Sequence, residues 1–213
     1  VYKNSDPSDI AVTAAGGLVG EVIQVWRPRE LNTHETEWGF SCMSYEISGA
    51  LGIKMANPDK EVISFVGDGS YLLNNTDIYS SVITNNKLII IVCDNGGFAV
   101  INRLQLFKGG NEYNNLLKSS NTPGLVNVDF AKHAESMGAK SEHVNSISDL
   151  EEAFKRAKKS DVTYVISIKT HAYQWLEGSA FWDSPTLEIP TTKENKEALK
   201  LYKEGKNKQR QGV

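Results

Sequence analysis

Two short stretches carry the atoms needed to hold a divalent cation against a phosphorylated ligand. Gly67-Asp68-Gly69-Ser70 follows one apolar run, and Asp94-Asn95-Gly96-Gly97 ends the next. Mg²⁺ takes hard oxygen ligands and commonly shares its coordination with a ligand's phosphates. Asp68 offers a carboxylate and Asn95 an amide oxygen, while Gly96-Gly97 lets a backbone carbonyl turn inward as a third ligand. Gly67 and Gly69 lack a Cβ, so backbone N–H groups can approach a phosphate closely, and Ser70 adds a hydroxyl donor. Asp68 alone would read as a turn residue. An Asn ending the following strand makes it half of a site.

For the two stretches to meet, they must leave the same edge of one sheet. The run 87–93, Lys-Leu-Ile-Ile-Ile-Val-Cys, is apolar almost throughout, as strands covered on both faces are. Further strands are predicted at 10–14, 61–66 and 162–168, with helices at 44–56, 75–85 and about 101–106. Asp129 caps another helix that Gly138 closes, and Ser148 with Glu151 forms a capping box for one running to 158. This alternation implies an α/β fold: a doubly wound, mainly parallel sheet with helices on both faces. Such sheets bind ligands at the C-terminal ends of their strands, where both stretches fall. The Gly16-Gly17 turn after the first strand reaches the same edge. Residues 95–124 read as a long functional connection. Residues 1–170 are expected to form the binding domain and 171–213 a tail packing on it or on a neighbouring subunit. The Lys-rich stretch 193–210 also carries acids and reads as a solvated helix face.

The composition narrows the class. With 213 residues, 40% of them hydrophobic, the chain can bury one sizeable core. Its 23 Lys and Arg against 26 Asp and Glu offer no basic field for nucleic acid or an anionic membrane, which favours a small-molecule partner. Every apolar run falls short of the roughly 18 residues that span a bilayer. The opening Val1-Tyr2-Lys3-Asn4 lacks a signal-peptide core, and Cys42 and Cys93 make neither a disulfide framework nor a metal-ligand spacing. A cytoplasmic protein is expected. A polar start without an initiator Met reads as a piece of a longer chain.

Gly67-Asp68-Gly69 followed by Asn95 resembles the signature of thiamine-diphosphate enzymes, in the domain that binds the cofactor's diphosphate. The resemblance implies thiamine diphosphate and Mg²⁺ as cofactors, with Asp68, Asn95 and the carbonyl of Gly97 as metal ligands. Asp94 stands where the family often has a first asparagine. Gly39-Phe40-Ser41-Cys42-Met43-Ser44-Tyr45 resembles the family stretch in which a bulky apolar residue, here Met43, wedges between the cofactor's rings and bends it, bringing its amine to the thiazolium C2. Ser44 replaces a usual glycine. Cofactor contacts are thereby implied for Gly16, Gly17, Cys42, Met43, Gly67, Asp68, Gly69, Ser70, Asn95, Gly97 and Phe98. His34, which precedes Glu35 and Glu37, is placed near the cofactor as a proton relay or hydroxyl-binding group, with a plain loop histidine as the other reading.

Asn32-Thr33-His34 leading into Glu37-Trp38-Gly39-Phe40-Ser41-Cys42-Met43, Asp94-Asn95-Gly96-Gly97-Phe98, Ile101-Asn102, Leu104-Gln105 and Lys208-Gln209-Arg210 resemble one branch of that family, as do Trp175, Trp182 and Pro185 more loosely. The branch comprises C–C hydrolases that open a cyclic 1,2-dione in inositol degradation. Two other readings stay open. One is an acetolactate-synthase-like carboligase or the cofactor subunit of a 2-oxoacid-converting enzyme. The other is a non-catalytic nucleotide-binding module, although a P-loop lysine is missing. The family's catalytic glutamate belongs to a separate pyrimidine-binding domain, upstream or in trans, usually across a dimer or larger assembly. The resemblance therefore implies that this chain alone is inactive.

Overall fold

The run Ile89-Ile90-Ile91-Val92 is β-branched throughout, which favours extended backbone, and it forms strand β4 (Ile89–Asp94). In the computed structural model, which describes residues 1–121, 124, 127–176 and 186–209, β4 lies inside a wholly parallel sheet. Beside it run β3 (Val62–Gly67) and β6 (Tyr164–Lys169); β1 (Ile10–Thr13) follows β3, and the short strands β2 (His34–Thr36) and β5 (Lys140–Val144) form the edges. The order is β2-β1-β3-β4-β6-β5. Trp182, Pro185 and Arg210, singled out in the sequence, lie outside the described residues.

Helices cover both faces because every inner strand is apolar on both. Ile10, Val12, Val62, Leu88, Ile90 and Val92 face α2 (Tyr45–Ala56), α4 (Thr76–Ile83) and α6 (Phe130–Ser136) through Ile47, Ile78 and Phe130. Ala11, Ile63, Ile89, Ile91 and Ile166 face α1 (Gly17–Val25) and α7 (Ile147–Lys158) through Val22 and Phe154. The expected doubly wound α/β architecture is present, with all the strands parallel.

Several local expectations change. A short helix, α3 (Asp68–Leu73), begins directly at Asp68. The connection after β4 contains α5 (Ala99–Phe107), longer than predicted, and α8 (Lys193–Lys208) makes regular the Lys-rich part of a tail expected to be irregular, in the stretch read as a helix face. The cap of α7 is Ser146, whose side chain accepts from the Asp149 N–H, so Ser148 lies inside the first turn and the predicted capping box is displaced by two residues. β2 and β5, unforeseen as strands, read His-Glu-Thr and Lys-Ser-Glu-His-Val. Each pairs on one side only and carries no apolar run to announce it. Among the described residues no helix is long and apolar enough to cross a membrane.

Candidate cofactor and metal site

Parallel pairing brings the chemistry together. Gly67 at the end of β3 is in register with Cys93 on β4, so Asp68 and the Asp94-Asn95 pair emerge side by side at the C-terminal edge. Asp68 is buried, 4% exposed. Burial and the nearby charge of Asp94 push its carboxyl up to about 6, while backbone N–H groups of Gly97, Asn95 and Gly69 pull the other way. The Asn95 amide atom that faces the site lies 3.3 Å from Asp68 Oδ1 and 2.7 Å from the Gly97 carbonyl oxygen. Placed as oxygen it meets only acceptors, and turned about it would donate to both. A cation placed among the three groups would fit the same geometry, with each as an oxygen ligand. Neighbouring corners of an Mg²⁺ octahedron with bonds of about 2.1 Å lie roughly 3 Å apart, close to the separations of the Asn95 atom from the Asp68 and Gly97 oxygens.

The turn that aims the Gly97 carbonyl is held from two sides. Asp94 accepts from the Gly96 N–H through Oδ1 (3.0 Å) and pairs with Lys169 through Oδ2, so its charge is partnered rather than free for the metal. Gly97 has φ +136°, and a Cβ there would stand 2.5 Å from the Asn115 carbonyl oxygen. The Phe98 N–H donates to that same carbonyl at 2.7 Å. Glycine is required at 97 by both conformation and space.

The other expected residues lie on the turns that follow β1, β3 and β4 and on the loop before α2. The Phe98 ring lies over Gly69, where a Cβ would approach it to 2.6 Å. Gly16, at φ +83°, and Gly17 lie against Val100 on α5. Gly17, Gly67 and Asn95 also border a cavity of about 310 Å³, whose far side includes Glu21, Arg103 and His171. Cys42 is exposed, and Met43, 38% exposed, stands on the loop before α2. That loop is clasped by Glu37, whose carboxylate accepts from the N–H groups of Phe40 (2.8 Å) and Cys42 (2.6 Å). Ser44 has φ +80°, a conformation glycine adopts without strain. Two hydrogen bonds to Ser70 hold it there, N–H to Oγ at 2.7 Å and Oγ to carbonyl at 3.0 Å.

His34 is not brought to the oxygen cluster. It stands opposite Ala11, two positions before β2 ends, with Nε2 3.4 Å from Thr36 Oγ1. Burial pushes its pKa down despite Glu35. Glu46 and Lys169 escaped the sequence reading, and Glu37 entered it beside His34 and in a branch motif but not as the residue that holds the loop before α2. Of the first two, only Glu46 left a signal there, as an acid in the first turn of the helix predicted at 44–56. Among the described residues no group of three or more His, Cys, Asp and Glu side chains could hold a metal.

Residues 14–168 match the family model of the thiamine pyrophosphate enzyme C-terminal TPP binding domain. The chain is 37% identical over 204 residues to a 3D-(3,5/4)-trihydroxycyclohexane-1,2-dione hydrolase of Bacillus licheniformis, covering 95% of this chain and 31% of that protein. The Bacillus subtilis enzyme of the same name is 38% identical over 177 residues, covering 83% and 28%. This chain thus spans about a third of its curated relatives' length. Among solved structures, a Rhodococcus jostii RHA1 thiamine diphosphate-dependent 4-hydroxybenzoylformate decarboxylase superposes with a TM-score of 0.72 at 21% identity, over 80% of this chain and 31% of that one, a likeness of fold. With the edge-of-sheet geometry, these matches show that the chain belongs to the C-terminal, thiamine pyrophosphate-binding domain family of thiamine-diphosphate-dependent enzymes.

Proposed function

We propose that this chain holds the diphosphate end of thiamine diphosphate and its Mg²⁺ within a longer enzyme that hydrolyses a C–C bond of trihydroxycyclohexane-1,2-dione. The observation that carries the reading is the convergence of Asp68, Asn95 and the Gly97 carbonyl at the strand ends. Those groups would hold the metal, leaving its remaining positions to diphosphate oxygens and water. Gly16, Gly17, Gly67, Gly69 and Ser70 would line the diphosphate, with Phe98 and Cys42 flanking it. When bound, the thiazolium supplies an electron sink for breaking a C–C bond.

The chain's own residues bind and orient. Met43 would enforce the cofactor's bend from a loop that Glu37 clasps, and Lys169 would keep Asp94 partnered so that the Gly96-Gly97 turn stays fixed. His34, whose pKa is pushed down by burial, is the candidate here for accepting a substrate proton. The activity for which the relatives are named supports the dione as substrate, and their extra length supports a pyrimidine-binding domain outside this chain that supplies the catalytic glutamate. In this reading the enzyme is a cytoplasmic homodimer or larger, residues 171–213 pack as a tail, and the isolated chain is inactive. Asn195 on α8 supports the packing, since its Nδ2 donates to the carbonyls of Lys108 and Gly109.

The test is calorimetric and kinetic. The complete enzyme should bind thiamine diphosphate only with Mg²⁺ and should turn over the dione in preference to pyruvate. Metal-independent binding, or pyruvate as the better substrate, would refute the corresponding half of the proposal.

A further inference from the structure

Glu46 is the second residue of α2 and is 1% exposed, yet the hydrogen bonds its carboxylate accepts from Ala15 and Ser70 come from neutral donors. An ionisable group buried among neutral donors costs more than an apolar side chain of similar size would. Its contacts suggest what that arrangement does. Oε1 accepts from the Ala15 N–H at 3.2 Å, and Oε2 accepts from the Ser70 hydroxyl at 2.9 Å. The Ser70 oxygen in turn accepts from the Ser44 N–H at 2.7 Å. The Glu46 backbone is tied to the sheet, because its carbonyl accepts from Ser64 Oγ on β3 at 2.7 Å.

Each of these partners adjoins a different cofactor loop. Ala15 precedes the Gly16-Gly17 turn, Ser70 follows Gly67-Asp68-Gly69, and Ser44 follows Met43. These segments are far apart in the chain, and a single carboxylate ties them together. We infer that Glu46 is a positioning residue, setting the diphosphate turn, the metal turn and the Met43 loop in register with one another. It touches neither metal nor cofactor. The inference rests on the cofactor assignment proposed above.

In the complete enzyme, E46Q keeps the size of the side chain but turns one acceptor into a donor, so the Ser70 hydroxyl loses its acceptor. E46A leaves the Ala15 N–H unpaired as well. Titration with thiamine diphosphate at saturating Mg²⁺, followed by tryptophan fluorescence, should show the dissociation constant raised about 10-fold in E46Q and up to about 100-fold in E46A. Saturating cofactor should reimpose the loop positions, leaving kcat within about threefold of the parent. A merely structural role would lower the melting temperature and the active fraction and leave the constant unmoved. If E46A does not fold, E46Q decides the question. A folded E46Q binding within about twofold of the parent overturns the role of Glu46. A parent enzyme that binds no thiamine diphosphate overturns the cofactor assignment as well.

Discussion

Replacing Asp68 by asparagine should stabilise the metal-free protein while destroying its metal site. The Asp68 carboxyl rises from an ordinary 3.8 to about 6, through burial and the charge of Asp94. At about 1.4 kcal/mol for each unit, that shift corresponds to a ceiling of about 3 kcal/mol. The sign follows from proton binding: a carboxyl whose folded pKa is raised holds its proton more tightly in the native state. Its contribution is fully present below the unfolded value and is lost as pH rises through about 6. Near neutral pH the metal-free native state therefore carries the whole cost. Asparagine has no charge to bury but accepts fewer hydrogen bonds from the Gly69, Asn95 and Gly97 backbone, so a net gain of about 1–2 kcal/mol is expected. For a chain of this size that is a rise in melting temperature on the order of 5 °C. Scanning fluorimetry in chelator near pH 7.5 measures it, and the difference should shrink toward about pH 4.5. With Mg²⁺ and thiamine diphosphate at about 100 times the dissociation constant, wild type should gain about 2.7 kcal/mol and D68N almost nothing, reversing the order. A D68N protein less stable than wild type in chelator, or equally responsive to metal and cofactor, would refute the reasoning.

Gly97→Ala forces a Cβ to within 2.5 Å of the Asn115 carbonyl oxygen at φ +136°; a loss of at least about 2 kcal/mol in urea denaturation and weakened Mg²⁺ binding are expected. Met43→Ala on its half-exposed loop should change stability by no more than about 0.5 kcal/mol yet lower kcat of the complete enzyme on the order of 10-fold, separable by melting and steady-state assays. Phe154→Ala empties a fully buried position between α7 and the sheet and should cost about 3–5 kcal/mol by the same denaturation. At Glu142, burial works to raise the carboxyl, but hydrogen bonds from Arg156 and Tyr164 outweigh it and hold it low. That stability is present above the unfolded value of about 4.3 and lost as pH falls through the lower folded one. Because Arg156 is 53% exposed, E142Q should cost only about 1 kcal/mol near neutral pH and nothing in strong acid.

The sequence by itself determined the alternation of apolar strands with helices, and with it the α/β class. It also paired Asp68 with Asn95, because both end apolar strands and the glycines beside them mark turns whose geometry is local. Tertiary structure decided what depends on partners distant in the chain. The edge strands β2 and β5 exist because β1 and β6 offer them hydrogen bonds, and their own polar residues carry no period that would show it. Ser44 tolerates φ +80° because Ser70 holds it. Glu46 acquires its place only when Ala15 and Ser70 close around it. Short-range patterns are set by the backbone preferences of neighbouring residues, whereas a buried polar group is satisfied only by what folding brings to it.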